Sequence, residues 1–372
     1  MKDIHPNLAT SKYSTTLIKT NRIFLQVVIN ITNKPNRNLS MTLPRSQLIS
    51  LESTPYYHCV TRCVRRAYLC GIDPDTGKDY QHRRKWIEDR IFYLADRFSI
   101  KVAAYSVMSN HYHIVLRINK EEAKKLTFVD IIKRWHGMFN GNQLSQRYIE
   151  DSDSLTDVEK GVLIPIVEEW RKRLYDISWF MRCLNEDIAR LANFEDKCTG
   201  RFWQGRFKSQ ALLDEQAITA CMAYVDLNPI RAKISDDAKT SDFTSIKKRH
   251  EHRYSTDIKE ETKELQQRVL LPMKDDVHAD TNDDRTLPFN LAEYVALLEW
   301  TRENIHKPQK HDNKSLKIAG LKVTSKNIKA LAEEFERHFK SLVGTAKSYK
   351  QSYHKFKMRR RVGLRSCAKY LQ

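Results

Sequence analysis

The chain has 372 residues, 65 Lys and Arg against 46 Asp and Glu, and a formal net charge of +19. Its 41% of hydrophobic residues can build a sizeable core, and with only 10 Gly and 10 Pro the collagen-like and low-complexity classes are excluded. No run of about 18 apolar residues is present, so no transmembrane helix is expected, and the length suits two or three domains.

Residues 1–54 read as an N-terminal extension, expected to be disordered. They are rich in Asn, Thr, Ser and Lys and show no sustained period. The apolar run at 23–31 is short, broken by Gln26 and Asn30, and lacks a small-residue cleavage site, so it reads as neither signal peptide nor anchor. Met41 offers an alternative start that would make 1–40 an extension of the reading frame. YYHCVTRCV (56–64) is rich in aromatic and β-branched residues and predicts a strand. After the turn signal GIDPDTGKD, residues 81–98 space Trp86, Ile87, Phe92, Leu94, Ala95 and Phe98 at helical intervals. KVAAYSVM and HYHIVLRI then read as two strands meeting at Ser109-Asn110, which gives the order β-α-β-β.

Residues 126–196 read as mainly helical, interrupted by the polar stretch at 150–157. A strand follows at about 206–213, and Asp214 is placed to cap a helix from Glu215 to about Leu227. Pro229 disfavours helical geometry in the residue before it, so that helix is expected to end near Asn228. From about 255 the character changes. KEETKELQQRVLL and NLAEYVALLEWTREN predict helices, joined by the polar linker DDVHADTNDDRTLP. The expected domains are therefore 1–54, a core at 55–254, and a helical, basic region at 255–372.

The charge excess lies at the ends. Residues 1–40 carry 6 basic and 1 acidic side chains, residues 307–372 carry 18 and 4, and the middle is balanced. The last segment, SYKQSYHKFKMRRRVGLR, interleaves cations with Tyr, His and Phe, a mixture that neutralises phosphates and stacks bases. It nominates Lys357, Arg359, Arg360 and Arg361 for nucleic-acid contact; a solvated basic tail is the plainer alternative. The seven scattered cysteines argue against a disulfide scaffold and for a reducing, cytoplasmic setting.

Three constellations can carry chemistry. On a strand, His111 and His113 face the same way with Cα atoms about 6.6 Å apart, so their imidazoles can converge on one divalent ion. Two histidines alone do not complete such a site. Cys59, Cys63 and Cys70 lack the tight spacing of structural zinc. Tyr224 and Asn228, four apart, share a helix face if helical geometry holds that far; alone, Tyr224 reads as an ordinary amphipathic position. RFWQGRFK (201–208) alternates cationic and aromatic side chains, which suits phosphate contact and base stacking by Arg201, Trp203, Arg206 and Lys208. A surface strand with a half-buried aromatic face is the alternative.

Together these pieces resemble the single-tyrosine HUH transposases (His, bulky hydrophobic, His) and, within them, the REP-associated tyrosine transposases. Four blocks stand in the family's order: YYHCVTRCVRRAYLCG, MSNHYHIVL, RFWQGRFKS and YVDLNPIRA. They span roughly residues 55–235. Tyr112 occupies the middle of the His pair. The resemblance implies an α+β, ferredoxin-like antiparallel sheet with the HUH strand near its centre. It implies that His111 and His113, with Asn228 as a third, amide ligand, hold Mg²⁺ or Mn²⁺, that no organic cofactor is used, and that Tyr224 is the nucleophile. Arg62, Arg65, Arg66, Arg206, Lys208 and Arg231 would contact DNA. The implied reaction cleaves and rejoins single-stranded DNA presented as a hairpin, through a 5′-phosphotyrosine link. The family includes monomers and homodimers.

Two features depart from the simple family pattern: an insertion at about 137–178 and the long C-terminal region. Rolling-circle initiators and relaxases use the same chemistry, but the motif order and the LNP ending favour the transposase group. The rival from another class is a catalytically silent single-strand nucleic-acid-binding protein on the same fold.

Overall fold

The structure is a computed structural model that describes residues 47–64, 69–73, 77–256, 258–276, 285–304, 316–324, 327–356, 358 and 361–371. Strand β1 (Tyr56–Arg62) is followed by helix α1 (His82–Arg97) and by strands β2 (Ile100–Val107) and β3 (His111–Ile118), close to the sequence reading. The two strands turn at Ser109-Asn110, where the Met108 amide donates to the His111 carbonyl at 2.8 Å. Helices α2 (Lys120–Lys125), α3 (Phe128–His136), α4 (Gln143–Glu150), α5 (Asp157–Arg173) and α6 (Ile177–Glu195) come next. Strand β4 (Lys208–Leu212) leads into α7 (Glu215–Asp226), and α8 (Asn228–Arg231) follows at once.

The order β2-β3-β1-β4, with every neighbouring pair antiparallel, is the ferredoxin-like arrangement of a split βαβ unit. β1, β2 and β3 are buried almost throughout, so both faces of the sheet are covered. Side-chain alternation decides what each face meets. Tyr105 and Tyr112 donate their hydroxyls to Glu88 of α1 and Asn185 of α6, at 2.7 and 2.8 Å. His111 and His113 point to the opposite face, where α7 lies.

Helices α3 and α5, with the start of the α5–α6 connection, share a core of their own. Ile131, Ile132, Trp135, Leu163, Val167, Trp170 and Leu174 form a second buried cluster, with the Trp135 and Trp170 rings stacked at 5.3 Å. The polar stretch at 150–157 fits because Thr156 closes a capping box with Glu159 that starts α5.

After α8 the chain continues with α9 (Ser245–Tyr254), and the C-terminal region follows with α10 (Glu260–Val269), α11 (Leu291–Asn304), the short pair β5 (Leu316–Ile318) and β6 (Leu321–Val323), α12 (Ile328–Ala332) and α13 (Phe335–His338). Strand β7 (Leu342–Val343), α14 (Ala346–Ser352) and α15 (Leu364–Tyr370) complete it. Residues 255–371 therefore contain strands as well as the expected helices, and they do not form a separate layer. β7 pairs in parallel with β4 as a fifth strand, and Phe335, Phe339, Leu342 and Val343 are fully buried in the main core. Buried Asp226, at the end of α7, accepts from Ser245 Oγ (2.8 Å), the Ile246 amide (3.1 Å) and Tyr294 Oη (2.7 Å), tying α7 to α9 and α11. Burial pushes its carboxyl up to about 6.

The N-terminal boundary also shifts. Residues 47–54, expected to end the extension, lie against the sheet: Thr54 is buried, its hydroxyl donates to the Leu212 carbonyl at 2.5 Å, and the Ser50 amide donates to Tyr57 Oη at 2.8 Å. Residues 1–46, with Met41, lie outside the described residues.

Candidate active site

The β1–β3 register sets the site. Arg62 stands opposite His111, Val60 opposite His113 and His58 opposite Val115. His58 is therefore the diagonal neighbour of His113 on the same face, within reach of a long side chain. The His111 and His113 rings meet edge to face at 4.8 Å, and the His58 and His113 rings stack at 5.2 Å. α7 crosses this face and brings Tyr224 to 5.5 Å from the His113 ring and 6.1 Å from that of His58. Residues more than a hundred positions apart in the chain thus converge. Asp214 starts α7 as foreseen, accepting from the Ala217 amide at 3.0 Å.

A chain of hydrogen bonds runs behind His113. The side chain of Gln210 on β4 donates through Nε2 to the carbonyls of Phe339 and Lys340, each at 2.9 Å. Its Oε1 lies 2.7 Å from His58 Nδ1, and His58 Nε2 lies 3.0 Å from His113 Nδ1. His113 Nε2 is buried with no hydrogen-bond partner. His111 Nδ1 sits 2.5 Å from Asn110 Oδ1, which turns its Nε2 away from that contact. Burial holds all three imidazoles below their ordinary titration range. His111 is pushed down to about 3, first by desolvation and then by the cations Arg62, Arg231 and Lys208. At neutral pH the rings are uncharged, the state in which imidazole ligates metal.

Tyr224 is only 6% exposed. Phe335 of α13 stacks on its ring at 5.2 Å, the Arg231 guanidinium lies over it at 4.2 Å, and its hydroxyl donates to Glu336 Oε1 at 3.3 Å. Desolvation pushes the phenol up to about 12, with Arg231 pulling down and Glu336 pushing up. The same Glu336 oxygen is 3.8 Å from His113 Nδ1. α7 ends at Asp226 with Leu227 still in helical geometry, and Pro229 fits as an early residue of α8, so the chain turns on without unwinding. Arg231 then bridges the two candidate residues of this segment: beside its place over Tyr224, its Nη2 donates to Asn228 Oδ1 at 2.6 Å.

Among the described residues, no group of three or more His, Cys, Asp or Glu side chains is gathered for a metal ion. The donors that do fit a divalent ion are two neutral imidazoles, of which His113 presents an orphaned, buried Nε2. Asn228 is linked to the site through Arg231, from which its Oδ1 accepts, and its Nδ2 is buried without a partner. An amide oxygen has a second lone pair for a cation.

The cationic candidates divide into three groups. Arg62, Arg201, Arg206, Lys208 and Arg361 are exposed; Arg62 stands opposite His111 on β1, Lys208 opposite Val60 on β4, and both charges act on His111. Arg231 is half-buried and turned into the site, with Nη1 donating to the Glu333 carbonyl at 2.7 Å. Arg65, Arg66, Lys357, Arg359 and Arg360 lie outside the described residues. Trp203 is a correction. It is 8% exposed, its indole N–H donates to the Asn185 carbonyl at 2.8 Å, and its ring packs on Phe202 and Tyr112. It is a wall of the core rather than a platform for bases, because the 201–207 loop bends inward at an isolated bridge between Cys63 and Trp203 instead of running on as a surface strand.

Sequence reasoning missed His58, Gln210 and Glu336. His58 carried one readable signal: on β1 it shares the side-chain parity of Val60, the residue opposite His113.

No helix among the described residues is long and apolar enough to cross a membrane. No family model matches the chain, and no curated protein matches it. Among solved structures it is similar to one described as a REP-associated tyrosine transposase bound to a REP hairpin, at 11% sequence identity and a TM-score of 0.32, over 53% of this chain and 79% of that one.

Proposed function

We propose that the chain is a metal-dependent endonuclease and transposase acting on single-stranded DNA hairpins. The observation that carries this reading is the convergence of His111, His113 and Tyr224 across β3 and α7, beside the orphaned Nε2 of His113. The four sequence blocks supply the family expectation; the geometry is an independent support for it.

His111 and His113, with Asn228 Oδ1, are the residues that would hold Mg²⁺ or Mn²⁺. A bound divalent ion supplies charge stabilisation to a phosphate oxygen. The remaining work falls to the chain itself. The Tyr224 oxygen attacks the scissile phosphorus in line, a Tyr O–P bond forms, and the bond to the 3′-oxygen breaks. The phenol proton has an acceptor in Glu336, and the departing 3′-oxygen takes a proton from solvent water to end as a hydroxyl. Attack by a 3′-hydroxyl on the phosphotyrosine reverses the step and rejoins strands. Arg231 opposes the charge of the reacting phosphate, and Arg62 and Lys208 flank the site as backbone contacts.

The test is covalent capture. Labelled single-stranded hairpin oligonucleotides are mixed with the protein and Mn²⁺ or Mg²⁺ and run on denaturing gels. A protease-sensitive adduct is expected, lost in Tyr224→Phe and with EDTA. The silent-binding reading has one observation in its favour, the cover that Phe335 and Glu336 place over Tyr224. It requires binding with no adduct, indifferent to chelator and equal in Tyr224→Phe, and that result would sink the enzymatic proposal.

A further inference from the structure

We infer that Gln210 and His58 are positioning residues that lock His113 in the tautomer protonated at Nδ1, so that the Nε2 lone pair faces the site. Donors and acceptors decide the matter in sequence. Gln210 Nε2 faces two backbone carbonyls, of Phe339 and Lys340, and a carbonyl only accepts; the amide orientation is therefore fixed. That leaves Gln210 Oε1, an acceptor only, 2.7 Å from His58 Nδ1, which must carry the proton. In a neutral imidazole the other nitrogen is then an acceptor, so His58 Nε2 receives the Nδ1–H of His113 across 3.0 Å. His113 Nε2 is left unprotonated, buried and without a partner. Each step removes one choice, and the last leaves a lone pair where a metal ligand is wanted.

The arrangement matches the way metal-ligating histidines are held elsewhere: an outer acceptor fixes the second ring nitrogen. Here that acceptor is another histidine, fixed by an amide that the C-terminal segment orients. Two carbonyls just ahead of β7 thereby reach the metal face of β3 through two side chains. The tautomer follows from hydrogen-bond geometry alone; its consequence for metal affinity rests on the metal-dependent reading above.

The experiment combines histidine ¹⁵N NMR of the metal-free full chain with titration by Mn²⁺ alone, followed by electron paramagnetic resonance. His113, assigned by its loss in His113→Ala, is expected as the Nδ1–H tautomer. His58→Phe keeps an aromatic ring but removes the acceptor, and is expected to release that tautomer and weaken Mn²⁺ binding by about 10–100-fold. His58→Asn, which restores an acceptor oxygen, should recover part of both signals, whereas a merely structural role would not distinguish them by tautomer. Gln210→Met gives a second break in the chain should His58→Phe fail to fold. An Nε2–H tautomer in the unaltered protein, or an unchanged tautomer in both breaking variants, overturns the inference. If Mn²⁺ binding is instead the same in His113→Ala, the metal reading fails while the NMR result still decides the tautomer.

Discussion

Lowering the pH from about 7.5 to about 5 is expected to destabilise the fold, with His111 contributing about 2 kcal/mol. The sign follows from which state binds the proton. In the unfolded chain histidine titrates near 6.5, whereas His111 in the fold is pushed down to about 3, and His58 and His113 are also lowered. Between these limits the unfolded state takes up protons that the folded state refuses. The stability is full above about pH 6.5 and is lost as the pH falls. At about pH 5 the deficit from His111 is roughly 1.5 pH units, or about 2 kcal/mol, and His58 and His113 act in the same direction. Asp226 works the other way. Its folded carboxyl titrates near 6, above the unfolded value of 3.8, so acidification relieves part of its burial cost. Over the same interval that relief is about 1 pH unit, roughly 1.4 kcal/mol, so His111 already outweighs it. Denaturant melts at the two pH values, repeated with His111→Gln, provide the check. A flatter pH dependence in the variant is expected; a protein that gains stability on acidification would mean that Asp226 outweighs the imidazoles.

The parts of the site that were legible in the sequence are those whose chemistry is encoded at short range. His111 and His113 share a face by the period of a strand, and Tyr224 follows a capped helix start at Asp214, so pattern alone located each. Their convergence required the sheet order, which the family resemblance implied and periodicity did not. His58 and Gln210 are buried polar residues on separate strands, and they meet across 152 positions because β1 and β4 pair at that register. No local spacing announces such a pair. Trp203 misled because alternation was read where the chain is a loop. The C-terminal region was set apart by a polar linker and by its charge, both surface properties. The apolar pair Phe335 and Phe339, one helical turn apart, carried the opposite message, and both side chains are fully buried in the main core.

Removing residues 335–372 is therefore expected to abolish cooperative folding rather than to shed a DNA-binding tail. The cut takes away Phe335, Phe339, Leu342, Val343 and Tyr349, all fully buried. Loss of each large buried aromatic costs about 3–5 kcal/mol, so the two phenylalanines alone approach the 5–15 kcal/mol that stabilises a typical domain. The cut also exposes β4 as an edge. The Ala211 and Leu213 amides lose the Ser341 and Val343 carbonyls, at 2.8 Å each, and Gln210 loses both carbonyls that orient it. A truncated chain that expresses but shows no cooperative melt is the expected result. The contribution of the basic charge is then measured by neutralising exposed cations on the intact fold: Lys347, Lys350, Arg365 and Lys369, each to Gln. The fold should survive, because none of the four side chains is buried. For every phosphate that the protein no longer neutralises, the slope of log affinity for single-stranded DNA against log salt should flatten by about 0.7. A truncated chain that melts cooperatively at the same midpoint as the full chain would show that the C-terminal segment is an appendage after all. An unchanged salt slope in the intact fourfold variant would remove these four cations from the path of the DNA and leave Arg62, Lys208 and their neighbours on the sheet to carry it.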